Sequence, residues 1–270
     1  MTKREPLQLE AKVPFGHPFF EIIEEAYQVF AVPRPVNLGV WDFALDAAIQ
    51  RDFLKPPIAE LPYHYVRDWY FAPVDPPGIA LSTWVYLLPR VLEIMAQGRP
   101  VSGVCLETSL ERYETGNPDN WSAAQWAVLD RFQRLYLQCA MGPREDNMPS
   151  STGETLDTVL CMFRLGGWSL DSLLEQVAAM PDAFLAECLW RDWHLHLWTG
   201  CNVMNLNSNV VSITNFWPAS DQEQIFAWYT SPALSERMEA LAFADGTPPD
   251  LADRALAVAN GISASRLAAA

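Results

Sequence analysis

The segment Asp192-Trp193-His194-Leu195-His196, followed by Cys201, concentrates the side chains best suited to chemistry in this chain. On a helix, a carboxylate four residues before an imidazole shares its face. An aspartate that orients a histidine can turn it into a general base. At about 100° per residue, His194 and His196 lie about 200° apart and cannot converge on one point. Asp192 with His196 is therefore the pair to expect, and it gives an enzyme reading, a hydrolase or isomerase of unspecified substrate with a pocket on this helix. The plain alternative is a half-buried pair on an aromatic-rich helix. No G-x-S-x-G, H-E-x-x-H or phosphate-loop spacing accompanies the pair.

A second constellation is acidic. Glu107, Glu111 and Glu114 fall at i, i+4 and i+7, one face if residues 104–114 are helical. Opposed carboxylate helices can hold a pair of metal ions, but such bundles need Glu-x-x-His, which this chain lacks. No metal or cofactor is expected. The face is either solvated or a docking surface for a basic protein. Asp42 and Asp46, also at i and i+4, could line the same partner site or cap a helix. Trp217, beside Pro218 in an Asn-rich stretch, is the tryptophan expected to be exposed as a contact anchor. The five cysteines are widely spaced without a CxxC, which predicts buried thiols rather than disulfides or zinc ligands.

The balance of 33 Asp and Glu against 18 Lys and Arg gives a net charge of −15, yet there are 11 Trp, 13 Phe and 8 Tyr. So many aromatics predict a folded body with a large core beneath a negative surface. Such a surface disfavours nucleic acid and anionic lipid and favours a basic partner. Residues 101–200 are the most negative, with 6 basic and 14 acidic groups. No apolar run reaches the ~18–20 residues of a membrane span. The basic first residues lack a following apolar run, so no secretory leader is expected and the cytoplasm is the expected compartment.

These side chains must be positioned by helices. Phe19, Ile22, Ile23, Ala26, Tyr27 and Phe30 make an apolar stripe after Pro18. Pro33 and Pro35 end that helix. Further helices are expected over 45–54, 60–71, 82–96 with a kink or restart at Pro89, and 104–113. Ser122-Ala123-Ala124-Gln125 reads as a capping box. Others should follow Thr155, Ser169, Pro181, residue 222 and Ser231-Pro232, with a last one over 249–259 fraying into an alanine-rich tail. The lone plausible strand is 210–213. The expectation is a single all-α domain over 1–270, ten to twelve helices stacked as irregular pairs, with 142–153 as an internal boundary or mobile loop.

Leu87-Leu88-Pro89-Arg90-Val91-Leu92-Glu93, the helix of Trp121 to Phe132, and Tyr229-Thr230-Ser231-Pro232-Ala233-Leu234-Ser235-Glu236-Arg237-Met238-Glu239-Ala240 resemble a family of uncharacterised bacterial helical proteins. That family often carries a CxxC after a Pro-rich turn. Here the matching stretch is Gly39-Val40-Trp41-Asp42-Phe43, without cysteine. The resemblance implies an α-helical fold and an association with toxin–immunity systems. The expected function is an immunity-type protein that neutralises a cognate basic toxin by occlusion, through Glu107, Glu111, Glu114, Asp42, Asp46 and Trp217.

Overall fold

The computed structural model describes residues 12–41, 44–76, 78–102, 105–139, 154–196 and 214–269. These residues form eleven α-helices and no strand, with one isolated antiparallel bridge between Val40 and Val74. The helices are α1 (Phe20–Val29), α2 (Ala47–Asp52), α3 (Tyr63–Phe71), α4 (Leu81–Ala96), α5 (Ala123–Cys139), α6 (Leu156–Leu165), α7 (Leu170–Ala178), α8 (Asp182–His196), α9 (Gln222–Tyr229), α10 (Pro232–Ala242) and α11 (Pro249–Ala269). The expected all-α architecture is the one observed. The strand expected at 210–213 and the loop at 142–153 lie outside the described residues. No helix among the described residues is long and apolar enough to cross a membrane.

α4 is the axis of the first half. Its residues from Thr83 to Ala96 are all buried, so it is apolar on every side and packed on every side. The expected break at Pro89 does not occur, and the helix runs through it. Packing around the whole circumference holds the helix where one lost N–H would interrupt an exposed one. The two charges on this helix are joined. Arg90 Nη1 donates to Glu93 Oε2 at 2.6 Å, and its Nε donates to the Leu61 carbonyl at 2.9 Å. Tyr27 donates its hydroxyl to the same carboxylate at 2.5 Å. This network ties α1 and the entry to α3 onto α4, and its extra hydrogen bonds offset the desolvation of a buried pair.

The helix expected over 104–113 is only a short 3-10 turn, Glu107–Leu110. Two long-range contacts stop it. Arg112 donates to the Tyr70 and Ala72 carbonyls at the end of α3. Gly116 N donates to the Gly166 carbonyl at 2.7 Å, where a Cβ would lie 2.3 Å from Trp168 N.

α5 starts at the expected box. Gln125 N donates to Ser122 Oγ at 3.3 Å, and Ser122 N donates to Gln125 Oε1 at 3.0 Å. Thr155, Ser169 and Ser231 cap α6, α7 and α10. α11 does not fray at residue 259. It continues because Ile262 and Ser265 are buried and Gly261 sits against the ring of Trp193 on α8.

Candidate functional site

The most unusual chemistry lies at the start of α6. Thr155 caps this helix on Thr158 N, but the N–H groups of Leu156 and Asp157 need other acceptors. Asp192 of α8 supplies them, Oδ1 to Leu156 N at 2.8 Å and Oδ2 to Asp157 N at 3.2 Å. Tyr229, at the end of α9, donates its hydroxyl to Oδ2 at 2.5 Å. The neighbouring carboxylate of Asp157 accepts from Thr214 N at 2.6 Å and from Trp217 Nε1 at 2.7 Å. The Thr214 hydroxyl donates to Glu107 at 2.8 Å. Three carboxylates from distant points in the chain thus gather around the segment leading into α9.

Asp157 and Asp192 are each 1% exposed. Burial pushes the Asp157 carboxyl up to about 7 and the Asp192 carboxyl up to about 8, against the pull of their donors. Neither is in an ion pair among the described residues. The closest balanced charge on the same helix is Arg164, 2.5 Å from Asp221. Burial and these carboxylates also push the Cys161 thiol up, and burial chiefly pushes the Cys188 thiol up to about 12, so both are inert core groups.

A carboxyl pair poised near neutrality can exchange protons if a substrate reaches it. Here every oxygen of the pair is taken by an N–H or O–H of the fold, and both groups are sealed from solvent. The arrangement fastens α6, α8 and α9 together. No group of His, Cys, Asp and Glu among the described residues has the arrangement of a metal site.

Asp192, singled out for chemistry, is therefore a buried helix cap. The backbone of His196 is in α8, but its side chain lies outside the described residues, as do Cys201 and Asp42. Asp46 takes the capping role, accepting from Ala48 N at 2.8 Å at the start of α2. Glu107 is not part of an exposed face, because it is buried with Thr214 on its carboxylate. Glu111 and Glu114 follow the 3-10 turn and stay exposed. Trp217 is no surface anchor; it is 2% exposed, its indole N–H fixed on Asp157. Sequence reasoning missed Asp157, Thr214 and Tyr229. Only the position of Asp157 in a first helical turn was visible, and nothing local announced donors 57 and 60 residues away.

A concave site lies elsewhere, between the C-terminal half of α5, α7 and the start of α8. It has a volume of about 670 Å³. Leu137, Ala179, Met180, Pro181 and Phe184 give it apolar walls, while Arg134, Gln138, Ser172, Glu175 and Gln176 add polar groups. This size suits a small ligand or a few side chains of a partner.

Among protein-family models, curated proteins and solved structures, none matches this chain.

Proposed function

We propose that this chain is a binding protein that neutralises a basic partner by covering it, in the manner of an immunity protein against a cognate toxin. One observation carries the reading: most of the described cations are already held by carboxylates or carbonyls of this chain, while many exposed carboxylates have no ion pair among the described residues. Arg51, Lys55, Arg67, Arg90, Arg131, Arg134, Arg164, Arg237 and Arg254 each sit on a carboxylate. Arg112 sits on backbone carbonyls. Glu111, Glu114, Asp119, Glu175, Glu223, Glu239, Asp245 and Asp250 are exposed without an ion pair among the described residues. A surface with negative charge in surplus steers a cationic protein toward itself and repels nucleic acid. The sequence resemblance to helical proteins associated with toxin–immunity systems points the same way.

The test is association with the product of the neighbouring gene, where a cognate toxin is expected. The on-rate should fall markedly between 0.01 and 0.15 M salt, as the Debye length shrinks from about 30 Å to about 8 Å. The off-rate should change less. The double variant Glu111→Lys, Glu114→Lys should slow association further without unfolding the protein, since both side chains are exposed. A neighbour with no toxic activity, together with no protein captured at low salt, would end the proposal. A salt-independent on-rate would remove its electrostatic basis.

A further inference from the structure

We propose that the groove between α5, α7 and α8 docks a basic amphipathic segment of the partner, with an apolar side chain between Leu137, Met180 and Phe184 and a Lys or Arg beside it on Glu175. This rests on the reading above that the partner is basic.

The charges around the groove decide the sign of its occupant. The Arg134 guanidinium is held on Asp130 at 2.9 Å, so that pair is balanced. On the other side, Arg237 covers the Ala178 and Met180 carbonyls and is balanced by Asp182 at 2.6 Å. Glu175 is exposed with no ion pair among the described residues. Asp171, one turn earlier on the same face of α7, holds only the neutral amide of Gln224, at 2.6 Å. Glu175 on the wall of the apolar trough and Asp171 one turn away on α7 are thus in excess, and the one cation among the described lining residues, Arg134, is already balanced. An anionic ligand would meet this surplus beside an Arg134 whose charge Asp130 already balances. A cationic one meets Glu175 as it stands, and the apolar walls give it a place to bury an anchor. Helix-in-groove recognition uses this combination of apolar anchors and flanking charge.

The experiment uses the full chain and a fluorescent helical peptide of leucine and lysine with the leucines on one face, read by anisotropy at low salt. Two control peptides replace lysine by glutamate or leucine by serine. The Leu/Lys peptide should bind, and each control should bind at least about tenfold more weakly. Ala179→Trp fills the groove from an exposed position and should weaken the Leu/Lys peptide by about tenfold or more. Ser172→Trp, from another exposed position on the wall, is a second block should the first variant fail to fold by circular dichroism. Glu175→Gln should weaken binding several-fold and flatten its salt dependence.

Equal or tighter binding of the Leu/Glu peptide would overturn the proposal, as would full-strength binding to the blocked variants. If the blocked variants bind normally while Glu111→Lys, Glu114→Lys does not bind, the basic-partner reading survives and the groove is excluded. If the cognate toxin binds but no peptide does, the groove is again excluded. If neither binds, both readings fail.

Discussion

Two backbone N–H groups and a phenol converge on Asp192, and a backbone N–H and an indole converge on Asp157. These donors favour the ionised carboxylates, while complete burial, with repulsion from Glu107 on Asp157 and from Asp157 on Asp192, favours the protonated ones. Burial wins, with both carboxyls raised, to about 7 and about 8, from an ordinary 3.8. The sign of the pH effect follows. Between pH 4 and 8 the folded chain keeps protons that the unfolded chain has released. Stability from this pair is therefore full below pH 4 and falls as pH rises through the folded values. We expect the melting temperature to drop between pH 5 and pH 8.5. In Asp157→Asn the pH slope should shrink, although the variant starts less stable by about 1–3 kcal/mol because its amide cannot accept from both donors. An unchanged slope in thermal melts would mean that Asp157 is not a source of the pH dependence. Asp192→Ala should cost more, since it strands three buried donors at about 1–3 kcal/mol each. Sequence alone picked out Asp192 as a residue of consequence but paired it with His196. Its described partners are 35 to 37 residues away, where helical spacing carries no information.

At the scale of elements, what was legible was local. Ser122, Thr155, Ser169 and Ser231 announce helix starts because the capping groups lie within one turn of the N–H they satisfy. The errors arise where distant contacts override local preference. The apolar spacing of 104–113 suggested a helix, but Arg112 and Gly116 are fixed by α3 and by the turn after α6. Pro89 suggested a break that burial on all sides prevents. The alanine-rich tail suggested fraying after residue 259, yet Gly261 is the point of close approach of α11 to α8. A Cβ there would lie 2.9 Å from Trp193 Cε3, closer than packed atoms tolerate. Gly→Ala in an exposed helix stabilises by about 1 kcal/mol. Here we expect the reverse, with Gly261→Ala destabilising and Gly261→Val costing about 1–3 kcal/mol through overpacking. Urea melts of the two variants check the sign. A stabilised Gly261→Ala would show that α11 does not press on Trp193.

The whole molecule carries −15, and half of its 18 cations are in ion pairs among the described residues. Two opposing effects then set its response to salt. Screening weakens the ion pairs, but most are exposed pairs worth about 0–1 kcal/mol each, and Arg90 with Glu93 is too buried to be screened. Screening also weakens repulsion among the unpaired surface carboxylates, which is long-ranged and acts between many groups. Repulsion should dominate, so adding sodium chloride from 0.01 to 0.15 M at pH 7 should raise the melting temperature. Each kcal/mol gained corresponds to roughly 2–4 °C in a chain of this size. Near the isoelectric pH of about 4.6 the surplus vanishes, and the salt effect should vanish with it. A melting temperature that falls with salt at pH 7 would mean that the ion pairs outweigh the surplus. The same surplus destabilises the free protein and attracts a basic partner, so binding such a partner relieves the repulsion. Its complex should therefore melt higher and respond less to salt than the free chain.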